Sequence, residues 1–192
     1  MSSNEKPIAI VTGASSGIGL GIAQALLDRG YRVLGTSRSI TNSKELKSSS
    51  DLVLVNGDVS KKETAVKVAE TALKHFGRID LLVNNAGIFL PKPFLEYSED
   101  DYNLVMNTNV ASFFYMTQQV IPQMKKQKSG HVVYISAVLA DPAQRQHTGS
   151  HGRPDEITDA CCQQGAGVGI RLKQYPVQHR FAGKCQYTDA RQ

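Results

Sequence analysis

Residues 8–30 read IAIVTGASSGIGLGIAQALLDRG. Ile8, Ala9, Ile10 and Val11 are apolar at every position rather than at every second one, as a parallel strand covered on both faces requires. The chain then turns through Thr12-Gly13-Ala14-Ser15-Ser16-Gly17-Ile18-Gly19, and a helix-period segment runs on to Gly30, which suits a helix end. Strand, glycine-rich turn and helix in that order form the first half of a βαβ unit. Short β-branched or Leu-rich runs recur at 32–35, 52–55, 81–83 and 131–135, with longer helix-period segments between them. The alternation predicts an α/β fold with a doubly wound parallel sheet of about five strands.

The intervening helices carry their own punctuation. Ser60 followed by Glu63 predicts a capping box, Ala65, Ala69, Ala72, Leu73 and Phe76 form one apolar stripe, and Gly77 suits a left-handed helix end. Ser98 and Asp101 open a long helix through Val105, Phe113, Met116 and Val120, which Pro122 is expected to bend. Lys125, Lys126 and Lys128 then fall at its C-terminus, where cations offset the helix dipole.

Composition sets the remaining bounds. With 192 residues the chain has room for one ordinary domain. Its net charge of +5 is spread among acidic residues, with no basic stripe for nucleic acid or an anionic membrane. No apolar run approaches the ~18 residues a membrane span needs, and the N-terminus has no secretory pattern, so a soluble, cytoplasmic protein is expected. Cys161, Cys162 and Cys185 are too few and too odd in number for a disulfide framework.

After Asp141 the pattern stops. Large aliphatic residues and Phe fall to about one position in eight, and Gln, His, Arg and Gly replace them. The chain therefore divides into an α/β unit over 1–140 and an atypical, weakly structured tail over 141–192. His147, His151, Cys161 and Cys162 in that tail include an adjacent cysteine pair, awkward as metal ligands, and no metal is expected. The GAGVG run at 165–169 follows no strand and is not a nucleotide loop.

The turn at 12–19 carries the chemistry. Glycines between a strand and a helix let the backbone approach a pyrophosphate, while the helix N-terminus offers N–H donors and a partial positive charge. The second strand runs into Ser37 and Arg38, where an acidic residue would serve a ribose 2′-hydroxyl. A hydroxyl and a guanidinium suit the extra charge of a 2′-phosphate instead, so NADP(H) is favoured over NAD(H).

Taken with TGASSGIG, three further motifs resemble the classical short-chain dehydrogenase/reductase family over residues 7 to about 140. They are Asp58-Val59 after the third strand, Asn84-Asn85-Ala86-Gly87 after the fourth, and Asn109 within NTNVASFF. The resemblance implies a Rossmann-like fold and NAD(P)-dependent hydride transfer with a small carbonyl or alcohol substrate. It assigns cofactor binding to Gly13, Ser15, Ser16, Gly17, Ile18, Gly19, Ser37, Arg38, Asp58, Val59, Asn85, Ala86 and Gly87. Asn109 takes a catalytic place, helping to hold a proton-relay water.

The family's remaining catalytic groups are a Ser at the end of the fifth strand and a Tyr with a Lys four residues later, on the same helix face, whose ammonium favours phenolate. Here Ser136 falls on the first Ser of that motif and Ala137 on the second, catalytic one. The residues four beyond the seven tyrosines are Gly35, Asp101, Met106, Gln119, Val138, His179 and Arg191, none of them Lys. Three readings stay open: an oxidoreductase sequence truncated, frameshifted or alternatively spliced near residue 140; a pseudoenzyme that binds NADP(H) without turnover; or catalysis by another set, such as Tyr134, Ser136 and Asn109. Family members often pair through the long helix and the catalytic helix. A homo-oligomer of this chain is weakened by the absence of the latter from the sequence.

Overall fold

The computed structural model describes residues 6–136. Ala137, the tail expected over 141–192 and the cysteines therefore lie outside the described residues. Five parallel strands, β1 (Ile8–Thr12), β2 (Arg32–Ser37), β3 (Leu52–Asn56), β4 (Leu81–Asn84) and β5 (His131–Tyr134), form one sheet in the order β3-β2-β1-β4-β5. β1, β3 and β4 begin where a run of apolar residues begins, β2 and β5 one residue before it, at Arg32 and His131, and four strands extend one or two residues past their runs, through Thr12, Thr36, Ser37, Asn56 and Asn84. Those polar extensions lie at the C-terminal ends of the strands, where a doubly wound sheet carries its ligand.

Both faces of the sheet are covered. On one, Ile10, Leu34, Val55, Leu82 and Val132 meet α2 (Lys62–Phe76) and α4 (Ser112–Gln127) through Ala65, Val68, Ala72, Met116, Val120 and Met124. On the other, Val11, Val33, Leu52 and Val83 meet α1 (Gly17–Asp28) and the 3₁₀ turn Ile40–Asn42 through Leu20, Ala23 and Ile40. Burying each Leu, Ile or Val contributes about 1.5–3 kcal/mol, which accounts for strands with no polar alternation.

The N-terminal ends of β1 and β4 are sewn together by side chains. Asp80 accepts from the Ile8 amide at 2.9 Å and from Arg78, while Gln127 accepts from the Ile79 amide at 3.0 Å and donates to its carbonyl at 2.9 Å. These bonds fix the mutual register of β1, β4 and α4 from below, so that their upper ends arrive together.

Helix boundaries follow the expected signals with one correction. Ser98 and Asp101 make a full capping box at α3 (Glu99–Val105), Gly77 ends α2 at φ 77°, and Gly30 follows α1 at φ 80°. At α2, however, the Ser60–Glu63 box does not form. Asp58 accepts the Ser60 amide at 3.0 Å, the N-cap moves one residue on to Lys61, which makes no side-chain cap, and the helix starts at Lys62. The carboxylate two residues upstream competes successfully for the same amide, the usual behaviour of Asp in a turn. The long helix is also not uniform: between α3 and α4 lies a π turn, Met106–Ala111, and α4 continues past the exposed Pro122 to Gln127.

Candidate functional site

Thr12, Gly13 and Asn85 form the floor of the site. The Thr12 hydroxyl, buried to 2 % exposure, accepts from the amides of Asn85 and Ala86, both at 3.0 Å. Asn85 Nδ2 donates to the carbonyls of Thr12 at 3.0 Å and Gly13 at 3.4 Å. The motif at 84–87 is thereby locked against the glycine turn. A methyl group on Gly19 would lie 2.2 Å from the Gly13 carbonyl oxygen, and one on Gly13, whose φ is 67°, would lie 2.9 Å from Asn85 Nδ2. The two glycines let this turn close on Asn85. Ser16 precedes α1 in extended conformation with no side-chain cap, so the first amides of α1 are not covered by it. Ser15 is half-buried, Ser16 and Gly17 are exposed, and Ile18 stands 67 % exposed at the rim.

The second part of the site adjoins the first through Thr36, whose carbonyl accepts the Gly13 amide at 2.8 Å. Beyond it, Ser37 Oγ is buried without a hydrogen-bond partner, and Arg38 is exposed. An unpaired buried hydroxyl costs free energy and in native proteins usually signals a ligand or water. Asp58 is exposed while Val59 is buried at 7 %. Partial burial works to raise the Asp58 pKa, but hydrogen bonds from Ser60, with Lys61 and Arg38 nearby, outweigh it and hold the carboxyl below its ordinary value.

Asn109 makes the third part. It sits in the π turn, 6 % exposed, with Oδ1 accepting the Ile88 amide at 2.8 Å and Nδ2 donating to the Ile88 carbonyl at 3.0 Å. A methyl on Gly87 would lie 3.3 Å from Asn109 Oδ1, so the glycine lets the loop after β4 pass close to the helix. The Asn109 side chain thus clamps that loop, and the π turn, a feature common at functional sites, aims it there. Tyr134 packs edge-on against Phe113 with centroids 5.5 Å apart, and burial pushes its phenol pKa up.

The structure therefore joins the expected cofactor residues into one band along the strand ends, from Asp58 through Ser37 and Gly13 to Asn85, Gly87 and Asn109. Thr12, Thr36 and Asn56 also belong to this band. A signal for Thr12 is in the sequence, as the last residue of a buried strand just before the glycine turn. The bonds it makes to residues more than seventy positions away are not.

Strand order, glycine turn and clamped helix define a Rossmann-like α/β protein whose candidate site lies at the switch point between β1 and β4. A family model described as short chain dehydrogenase matches residues 7–149, and the chain belongs to that family. It is 38% identical over 141 residues to the 3-oxoacyl-[acyl-carrier-protein] reductase FabG of Buchnera aphidicola, covering 70% of this chain and 56% of that protein. Acetoacetyl-CoA reductase of an Acinetobacter species is 34% identical over 177 residues, 87% of this chain and 71% of the relative. Among solved structures, a short-chain dehydrogenase from Streptomyces avermitilis superimposes with TM-score 0.66 at 33% identity, covering 72% of this chain and 52% of the other. The matches to the Buchnera and Streptomyces proteins thus span little more than half the length of each.

Proposed function

We propose that residues 1–140 form an NADP(H)-binding unit and that the chain as written turns over carbonyl or alcohol substrates poorly. The observation that carries the cofactor preference is the buried Ser37 hydroxyl without a partner, at the end of β2 and next to the exposed Arg38. A phosphate oxygen would satisfy the hydroxyl while the guanidinium supplied charge, and no carboxylate stands at the end of β2 to repel it. The amides at the start of α1 and the closed turn of Gly13 and Gly19 would take the pyrophosphate, with Ser15, Ser16, Gly17 and Ile18 around it. Asp58 and Val59 would face the adenine, and Asn85, Ala86 and Gly87 the nicotinamide side.

When bound, NADPH supplies the hydride. The chain's own task is to hold the substrate oxygen and deliver a proton to it, and here the sequence falls short. Ala137 stands where a serine hydroxyl is wanted, and no tyrosine has a lysine four residues on. Tyr134 is a poor substitute, since burial raises its phenol pKa and makes it a weaker proton donor to the substrate oxygen.

Calorimetric titration of the chain with NADPH and NADH tests the first half of the proposal. NADPH should bind at least about tenfold more tightly, and Arg38→Ala should abolish the difference. Equal affinities would overturn the preference. NADPH oxidation with a panel of carbonyl compounds, 3-oxoacyl thioesters among them, tests the second half. Rates should stay at the uncatalysed level, and turnover lost in Tyr134→Phe would refute inactivity.

A further inference from the structure

Asn56 is the last residue of β3 and stands opposite Ser37 in the β2–β3 ladder. Its amide makes two bonds to one residue: Oδ1 accepts the Thr41 backbone N–H at 3.0 Å, and Nδ2 donates to Thr41 Oγ1 at 2.7 Å. Next to it, the Gly57 amide donates to the Ser37 carbonyl at 2.9 Å. The five residues from Ser37 to Thr41 are thus fastened at both ends to adjacent residues at the exit of β3, Ser37 by Gly57 and Thr41 by Asn56. Ile40, fully buried over Gly35 of β2, plugs the loop into the core. Between these anchors only Arg38 and Ser39 are exposed. The Asn56 carbonyl itself accepts from Lys67 Nζ at 3.3 Å, which ties the latch to α2.

We infer that Asn56, acting through Thr41, is a specificity-determining positioning residue that holds the Arg38 loop in the form that receives a 2′-phosphate. The inference rests on the proposed pairing of Ser37 and Arg38 with that phosphate. Arginine loses considerable rotamer freedom when its fork is fixed, so a loop already held at both ends reduces the cost of aiming it. The latch demands an acceptor and a donor in one planar side chain, and of the short residues only asparagine supplies both. Because the Asn56 and Thr41 side chains are exposed, the latch adds little to global stability and its loss should leave the fold intact. NADH has no 2′-phosphate, so its affinity does not depend on where Arg38 points.

The test is a double-mutant cycle read by calorimetry, with NADPH and NADH as probes and thermal melts as a check of folding. Asn56→Ala should weaken NADPH about tenfold and NADH less than twofold. Combined with Arg38→Ala it should add almost nothing, since both changes remove one function. Thr41→Val, which keeps the backbone N–H and loses the hydroxyl, should give a smaller loss with the same selectivity. Equal weakening of both cofactors, no weakening, or full additivity with Arg38→Ala would overturn the inference while leaving the Arg38 reading in place. If Arg38→Ala itself spares NADPH affinity, the underlying reading fails and this one with it.

Discussion

The Thr12 hydroxyl shows how much of the site depends on single atoms. It donates to the Val83 carbonyl at 3.4 Å in the interior and accepts two partly buried amides at 3.0 Å. Replacing it with a methyl leaves both partly buried amides unpaired, each at the lower end of the roughly 1–3 kcal/mol such a loss costs, so Thr12→Val should lower stability by about 2–4 kcal/mol. Thr12→Ser should keep most of it. Urea unfolding midpoints at constant slope measure the difference. The glycines of α1 separate function from stability at the same scale. In Gly19→Ala the new methyl meets a backbone carbonyl, which cannot rotate away, so the turn must open and NADPH affinity should fall about a hundredfold. A methyl on Gly21 meets nothing within 4 Å. Gly21→Ala should therefore gain about 1 kcal/mol of stability and leave binding unchanged, as paired titrations and melts would record.

Among the elements, α3 has the clearest electrostatic start. Ser98 and Asp101 exchange bonds with each other's backbone amides at 3.0 and 3.2 Å, and Lys92 reaches Asp101 at 2.6 Å. The Lys92 bond, followed by those from Ser98, holds the Asp101 pKa at about 2, below its ordinary 3.8. A carboxylate with a depressed pKa stabilises the fold fully above the unfolded value and loses that effect as pH falls through the folded one. Asp101→Asn should consequently melt earlier than the parent at pH 7, with the gap narrowing between about pH 4 and 2; thermal melts across that range decide it, and a gap constant with pH would refute the assignment. The Ser98–Asp101 box was legible in the sequence because both partners lie three residues apart. So were the strands, because burial on both faces leaves continuous apolar runs. The α2 start was misread because Asp58, just outside the box, takes the Ser60 amide first. The π turn around Asn109 and the Asn56–Thr41 latch left no local signal at all. The latch needs no Gly or Pro, the Gly87 that admits the Asn109 clamp lies more than twenty residues from it, and each is decided by partners far along the chain, Ile88 for Asn109 and Thr41 for Asn56.

At the scale of the whole molecule, β1 lies between β2 and β4, and the chain leaves it toward opposite sides of the sheet on either hand. The band from Asp58 to Asn109 crosses β3, β2, β1 and β4, so a dinucleotide lying along it would tie together elements otherwise joined only by the sheet and its flanking helices. A ligand that binds the folded chain alone stabilises it by RT ln(1 + [L]/Kd), about 2.7 kcal/mol at a hundredfold excess over Kd. For a folded unit of this size that corresponds to a rise in melting temperature on the order of 10 °C. NADPH at saturation should produce this rise, and NADH at the same concentration, bound more weakly, a smaller one. Adenosine 2′,5′-bisphosphate reaches Ser37 and Arg38 but not Asn85 or Gly87, and should give part of the NADPH shift. A fluorescence-monitored melt with the three ligands separates these cases. Equal shifts from NADPH and NADH would refute the 2′-phosphate reading. A full shift from the bisphosphate alone would mean that the band beyond Gly13 contributes nothing to binding, and that the clamp of Asn85, Gly87 and Asn109 serves the fold rather than the ligand.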